Sequence, residues 1–162
     1  MKRIVVAGCQ GSGKTRLSLA LGGKLGLPVV HLDVLYWRPD WKESDTASFR
    51  ARVSEAITAD GWGVDGSFSG LALDLTLARA ERFVVIERPR WLVPAQRRRA
   101  DLPEGCPEQF DWGLLKQAWR YNSDRRPRIQ AELELYGGHV PVVRLTSDRE
   151  IAAFLEASSR AT

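Results

Sequence analysis

The residues with the clearest chemical meaning lie close to the first residue of the chain. Gly8, Gly13, Lys14 and Thr15 occupy the fixed positions of the pattern G-x-x-x-x-G-K-[ST]. In such a loop the glycines let backbone N–H groups approach an anion, the lysine ammonium contacts phosphate oxygens, and the hydroxyl binds Mg²⁺. The sequence therefore predicts a phosphate-binding loop. Its predicted contacts are Gly8, Gly11, Ser12, Gly13, Lys14 and Thr15.

The segments on either side of this loop have the character that it requires. Arg3–Ala7 is a short apolar, β-branched run typical of a buried parallel strand. After the loop, Leu17, Leu21 and Leu25 recur at four-residue spacing, as on one face of a helix. A strand, a glycine loop and a helix in succession are the context in which the pattern binds phosphate.

Apolar runs and helical patterns alternate along the rest of the chain. The five runs predicted as strands are Arg3–Ala7, Val29–Leu32, Trp62–Val64, Arg82–Ile86 and Val140–Leu145. The later helical patterns are predicted to bury Phe49, Val53 and Ile57; Leu71, Leu75 and Ala78; Ile129 and Leu133; and Ile151, Phe154 and Leu155. This alternation predicts a three-layer α/β/α domain built on a five-stranded parallel sheet. We expect the 162 residues to form one domain.

Composition places the chain among ordinary globular proteins, at 44% apolar and 27% charged residues with a net charge of +4. No signal peptide or membrane span is apparent, and Cys9 and Cys106 do not form a disulfide framework. We expect a cytoplasmic protein. The basic balance alone permits nucleic acid as a partner, but no helix-turn-helix pattern or separate basic domain supports it.

Two carboxylates are predicted at the edge of the sheet where ligands bind. Asp33 and Asp65 follow the second and third predicted strands, so both lie at the carboxyl edge beside the loop. Asp65 is the predicted Mg²⁺ carboxylate together with Thr15; the alternative is a turn aspartate preceding Gly66. Asp33 either orients and deprotonates an acceptor hydroxyl or caps the loop that follows it. His31 is predicted to be structural.

Aromatic residues follow Asp33 closely and have two interpretations. Tyr36, Trp37 and Trp41 either form an acceptor pocket for a planar or sugar-like ring or pack against the second helix.

Several segments together resemble the bacterial topology modulation protein family, a branch of the adenylate-kinase-like and shikimate-kinase-like P-loop proteins. The segments that carry the resemblance are Gly8–Thr15, His31–Trp37, Trp62–Ser69, Pro89–Trp91, Glu104–Trp112 and Arg125–Ile129. It implies ATP as phosphate donor, the strand order 2-3-1-4-5 and a short helical lid near Arg97–Trp112. We therefore expect a lid-like insertion around 92–128.

The sequence departs from the family pattern at the lid and at two other places. The arginine-rich stretch is short, Arg97–Arg99, while Glu87 stands where Asp is usual and Ser67-Phe68 replaces Asn-Tyr. Fewer lid arginines would weaken charge neutralisation in the transition state.

Arginines elsewhere can supply that neutralisation. Arg125 and Arg126 stand just before Pro127, where a helix is predicted to begin. Their planar guanidiniums can bind phosphate in a bidentate manner, so we predict catalytic roles for Lys14, Asp33, Arg125 and Arg126.

Two functions fit these residues. The first is a small-molecule or nucleotide kinase that uses MgATP and an unidentified acceptor. The alternative is a nucleotide-binding regulatory protein, related to DNA topology, with little turnover. The absence of an Asn-Lys-x-Asp segment excludes an ordinary GTPase.

Overall fold

A computed structural model describes residues 1–88 and 121–159 of the chain. Most of the predicted lid insertion around 92–128 lies outside the described residues, as do Cys106, the Arg97–Arg99 run and the segments Pro89–Trp91 and Glu104–Trp112. None of the helices within the described residues could span a membrane.

The central sheet has five strands, all parallel. They are β1 (Arg3–Gly8), β2 (Val29–His31), β5 (Trp62–Asp65), β6 (Arg82–Ile86) and β7 (Val142–Leu145). Their order across the sheet is β2-β5-β1-β6-β7. Counting only these five strands in chain order gives 2-3-1-4-5, which confirms the prediction. A two-stranded antiparallel pair, β3 (Trp37–Arg38) and β4 (Lys42–Glu43), was not predicted.

Helices cover both faces of this sheet, as predicted. They are α1 (Lys14–Leu25), α2 (Leu32–Tyr36), α3 (Thr46–Ala56), α4 (Leu73–Leu77), α5 (Arg126–Tyr136) and α6 (Asp148–Ser159). A 3₁₀ turn spans Pro39–Trp41, and a π-helical turn, Tyr121–Arg125, leads into α5.

Each face of the sheet has its own apolar core, because side chains alternate along every strand. On one face, Ile4 and Val6 of β1 pack with Leu17 and Leu21 of α1 and with Ile151 of α6. The larger core lies on the other face. It includes Val5, Val64, Phe83, Phe49, Val53, Leu73, Leu77, Ile129 and Leu133.

Two predictions about individual residues were wrong. Ala78 was expected to face inward but is exposed, because α4 ends at Leu77 after only five residues. Asp33 was expected at the end of the second strand, but β2 ends at His31 and Asp33 lies in the first turn of α2. His31 and Asp33 therefore do not share a strand face.

Candidate functional site

The loop between β1 and α1 has the backbone geometry that a phosphate site requires. Gly11 and Gly13 have φ angles of 74° and 93°, in the left-handed region that side chains other than glycine rarely adopt. Gly8 is required for packing, because a Cβ atom there would lie 2.6 Å from Ser12 Oγ and 3.0 Å from the Ile86 carbonyl oxygen. The geometry of the loop therefore requires glycine at all three positions.

The loop leads into the N-terminus of α1, where Gly13 is the N-cap residue and offers no side chain to the first amides. By contrast, the N-cap Asp45 of α3 accepts a hydrogen bond from Ser48 N at 2.8 Å. Backbone N–H groups left without a capping side chain, together with the helix dipole, attract an anion. Lys14 is the first residue of α1, so its ammonium adds positive charge at the same end.

A buried carboxylate faces this helix from the sheet. Asp65, the last residue of β5, pairs in register with Val6 of β1 and His31 of β2. Residues in register on parallel neighbours point to the same face, and Val6 belongs to the core under α1. Thr15 Oγ1 donates a hydrogen bond to Asp65 Oδ2 at 2.7 Å, and His31 Nδ1 lies 3.0 Å from the same oxygen.

Two buried oxygens at this place have no hydrogen-bond donor among residues 1–88 and 121–159. The side chain of Asp65 is only 4% exposed, yet its Oδ1 has no hydrogen-bond partner within the described residues. Ser12 Oγ is also buried and has no partner in the same part of the chain. A buried polar atom without a partner costs about 1–3 kcal/mol, so its presence at a loop of this kind points to a ligand.

These residues fit a magnesium ion. Mg²⁺ prefers oxygen ligands and is usually held by one or two carboxylates together with water and substrate phosphates rather than by a complete protein cage. The described residues contain no cluster of three or more His, Cys, Asp or Glu side chains suited to a metal. One buried carboxylate beside one hydroxyl, Asp65 and Thr15, matches the requirement of Mg²⁺ with a bound triphosphate.

Cys9 behaves as a small core residue within the loop. Its thiol is buried. Burial raises the pKa of this thiol above its ordinary value, and the Lys14 ammonium offsets part of the rise. A neutral buried thiol is a poor nucleophile, so the environment of Cys9 favours a packing role over a redox role.

The predicted arginines Arg125 and Arg126 lie close to the buried side chain of Tyr121. Tyr121 packs in the same core cluster as Cys9. Burial, with smaller contributions from Cys9 and Glu87, raises the pKa of Tyr121 to about 12, whereas Arg125 and Arg126 act in the opposite direction. Both guanidiniums are therefore close enough to influence a side chain that packs beside the loop.

Arg126 is already engaged with an acidic partner. Glu87 follows directly after Ile86, which pairs with Gly8 at the carboxyl edge of the sheet. Its Oε1 lies 3.3 Å from Arg126 Nη2 and 2.7 Å from Arg144 Nη1. No local pattern in the sequence indicates this cluster, because Arg144 lies in β7 and reaches Glu87 only once β6 and β7 pair.

The aromatic residues that follow Asp33 are part core and part surface. Tyr36 is buried, and its ring centroid lies 5.0 Å from that of Trp37, 5.1 Å from Phe49 and 4.9 Å from Phe68. Trp37 and Trp41 contact each other with ring centroids 5.7 Å apart. Trp37, Trp41 and Phe68 are only partly buried; we refer to these three as the aromatic wall.

The backbone near the aromatic wall adopts unusual conformations. Asp40, Trp41 and Phe68 have φ angles of 60°, 57° and 41°. For residues other than glycine such angles cost about 1–3 kcal/mol each and are concentrated at functional sites. Asp33 lies one helical turn before Trp37, whose backbone N–H donates to the Asp33 carbonyl oxygen.

The loop after β7 is fixed by a capping box, as predicted. Glu150 N donates to Ser147 Oγ at 3.2 Å, and Glu150 Oε2 accepts from Thr146 N at 2.6 Å. Arg88 forms an ion pair with Asp148 in the same segment. The loop Thr146–Asp148 thus lies at the carboxyl edge of the sheet, directly after β7.

The fold and the loop together define an α/β protein with the P-loop kinase-like fold. Comparisons with family models and with curated proteins gave no match. Solved structures that are similar to this chain include kinases. A shikimate kinase from Acinetobacter baumannii, in complex with shikimate, is similar to 97% of this chain and 90% of its own, with a TM-score of 0.62 and 16% identity.

Two further structures are similar over nearly the whole chain. A shikimate kinase from Bacteroides thetaiotaomicron has a TM-score of 0.55 and 15% identity, covering 99% of this chain and 97% of its own. A gluconokinase from Sinorhizobium meliloti 1021 has a TM-score of 0.51 and 18% identity, covering 99% and 94%. At these identities the likeness establishes the fold.

Proposed function

We propose that this protein binds MgATP at Gly8–Thr15 and transfers the γ-phosphoryl group to a small-molecule acceptor. The observation that carries the proposal is the pair formed by Asp65 and Thr15. Oδ2 of this buried carboxylate lies 2.7 Å from the hydroxyl of the glycine-rich loop, and its Oδ1 has no partner among the described residues. This is the donor set for a nucleotide-bound Mg²⁺.

In this proposal each group at the loop has one task. The amides of Gly11, Ser12 and Gly13 and the Lys14 ammonium bind the β- and γ-phosphates, and Arg125 and Arg126 add positive charge as the reaction proceeds. Thr15 and Asp65 would hold the Mg²⁺, directly or through its water shell. When bound, the ion neutralises phosphate charge.

The acceptor would bind between Asp33 and the aromatic wall. The acceptor oxygen forms a bond to the γ-phosphorus while the bond from that phosphorus to the bridging oxygen of ADP breaks, and the hydroxyl proton passes to the Asp33 carboxylate. The ring faces of Trp37, Trp41 and Phe68 favour an acceptor with a planar or sugar-like ring.

Two arginines near the aromatic wall, Arg50 and Arg52, are used within the fold. Arg50 donates to both carboxylate oxygens of Asp74 at 2.8 Å each. Arg52 donates to the Leu35 carbonyl oxygen at 2.8 Å and to Ser44 Oγ at 2.7 Å. The guanidiniums of Arg50 and Arg52 are thus engaged within the fold.

The sequence resemblance to topology modulation proteins is part of the same proposal. The resemblance implies a lid around 92–128 and leaves the acceptor unspecified. We propose in addition that residues 1–162 form a single cytoplasmic domain.

The test is ATP consumption with a panel of nucleosides, nucleotides, sugars and small alcohols. We expect ADP release that depends on one class of acceptor and disappears in Lys14→Ala, while Asp33→Asn lowers kcat and leaves ATP affinity unchanged. Trp37→Leu should raise KM for the acceptor alone. Acceptor-independent hydrolysis that survives in Lys14→Ala would contradict the proposal.

One observation favours the alternative, a nucleotide-binding regulatory protein with little turnover. Arg126, one of the predicted catalytic arginines, is held by Glu87, which Arg144 also contacts. An engaged guanidinium is less able to neutralise charge on a transferring phosphoryl group. ATP binding without acceptor-dependent turnover, together with salt-sensitive DNA binding, would favour this function.

A further inference from the structure

His31, which was predicted to be structural, contacts Asp65, the proposed metal ligand, directly. Its side chain is 20% exposed, and its Nδ1 atom lies 3.0 Å from Asp65 Oδ2. An ionised carboxylate only accepts hydrogen bonds, so the contacting nitrogen must carry the hydrogen. His31 therefore donates to Asp65 through Nδ1.

The hydrogen bonds at Asp65 divide its two oxygens into different roles. Oδ2 accepts from Thr15 at 2.7 Å and from His31 at 3.0 Å, which uses the two lone pairs of that oxygen. Oδ1 is buried and accepts no hydrogen bond from residues 1–88 or 121–159. The two donors on Oδ2 thus leave Oδ1 as the oxygen that can contact a cation or its bound water.

The strand register makes this arrangement rigid. His31 and Asp65 are in-register neighbours at the carboxyl ends of β2 and β5, and Asp65 is in register with Val6 on its other side. β5 lies between β1 and β2, so the Asp65 backbone is held from both sides. The only freedom left to the carboxylate is rotation about its side-chain bonds, and the two donors oppose that rotation.

From this geometry we infer that His31 is a positioning residue for the metal site, which orients Asp65 so that Oδ1 faces the Mg²⁺ bound with the nucleotide. The inference rests on the proposed function, because it requires MgATP at the loop. Groups that orient a metal ligand typically change metal affinity by about 10- to 100-fold when removed.

The experiment measures ATP binding by calorimetry in EDTA and across a Mg²⁺ series. The variants are His31→Leu, which removes the donor, and His31→Asn, whose amide places a donor near the position of Nδ1. The control is His139→Leu, because His139 is the other histidine of the chain and is exposed.

We expect His31→Leu to bind ATP in EDTA as the wild type does, within twofold, and to need about tenfold more Mg²⁺ for the same gain in affinity. His31→Asn should respond to Mg²⁺ at concentrations close to those of the wild type, and His139→Leu should behave as the wild type. If His31→Leu does not fold, His31→Gln takes its place; its amide lies one bond further out, and the same shift in Mg²⁺ requirement is expected.

Other results would overturn the inference. An unchanged Mg²⁺ requirement in His31→Leu would show that the histidine does not position the ligand. Equal losses of affinity in EDTA and in Mg²⁺, with a lowered melting temperature, would show a structural role only. A wild type that binds no ATP would overturn the proposed function and this inference with it, whereas failure of the inference alone leaves wild-type MgATP binding intact.

Discussion

Replacing Asp65 with asparagine should have opposite effects on the stability of the free protein and on its response to MgATP. The carboxylate is almost fully buried, and one of its oxygens has no partner in the described residues. Asparagine has the same shape, and its carbonyl oxygen can accept from Thr15 and His31 as Asp65 Oδ2 does. Its amide nitrogen then takes the place of Oδ1, so one polar atom is without a partner among the described residues in both proteins. The variant therefore removes a buried charge while it keeps the hydrogen bonds to Oδ2.

The size of both effects follows from burial and from mass action. Relief of the buried, half-satisfied charge should raise the free energy of unfolding by about 1 kcal/mol. For a chain of this length that corresponds to a rise in Tm of about 2–4 °C. A ligand at 100 times its Kd stabilises the folded state by about 2.7 kcal/mol, or roughly 5–11 °C. Loss of the carboxylate should weaken MgATP binding about 100-fold. The same MgATP concentration would then stabilise the folded state by only about 0.4 kcal/mol.

The assay is thermal unfolding without ligand, with ATP and EDTA, and with MgATP. The control is Asp60→Asn, an exposed carboxylate in the turn before β5, which should change none of the three values by more than about 1 °C. A free Asp65→Asn protein that melts several degrees below the wild type, yet keeps the full MgATP shift, would refute the reasoning. That result would assign Asp65 a purely structural role.

Two further predictions concern packing and pH. Gly8→Ala should lower stability by about 1–3 kcal/mol and abolish ATP binding, because the new Cβ would lie 2.6 Å from Ser12 Oγ; Gly23→Ala, where a Cβ meets nothing within 4 Å, should raise Tm instead. Arg50 holds the pKa of the Asp74 carboxyl below its ordinary value of 3.8, so the pair stabilises the fold above that pH and the contribution is lost as pH falls below it. In urea unfolding, Asp74→Asn should cost up to about 1 kcal/mol at pH 7, since the pair is partly exposed, and less at pH 3, because the carboxyl of the unfolded chain is then increasingly protonated; an equal loss at both pH values would contradict this assignment.

The sequence predicted the parts of the molecule that strong local patterns determine. The five strands match within two residues at each end, because buried parallel strands are nearly continuous apolar runs bounded by turns. The prediction that Asp65 lies at the carboxyl edge beside the loop also agrees with the structure, since β5 ends at Asp65 and pairs with β1. Its role in metal binding stays a proposal.

Other features depend on contacts between distant residues and could not be predicted in this way. The His31–Asp65 contact needs the register of β2 on β5, which neither segment specifies alone. The short helix α2 begins at Leu32, where the apolar run had indicated continued strand. Over five residues intrinsic propensity is weak, and tertiary packing decides the conformation.

The aromatic wall illustrates a second limit. Trp41 has a left-handed backbone, which intrinsic preferences oppose for residues other than glycine, asparagine and aspartate. Such conformations are sustained by surrounding contacts, here the edge-to-face packing of Trp41 on Trp37. No pattern in the sequence indicates that this packing outweighs the local cost.

The most direct test of MgATP binding is isothermal titration calorimetry of the purified, folded protein with ATP and Mg²⁺. We predict saturable heat for the wild type, at least tenfold weaker binding for Lys14→Ala, and unchanged binding for Lys24→Ala, which alters the opposite end of α1. The absence of heat in the wild type, or equal affinity in Lys14→Ala, would contradict the assignment of Gly8–Thr15 as a triphosphate site.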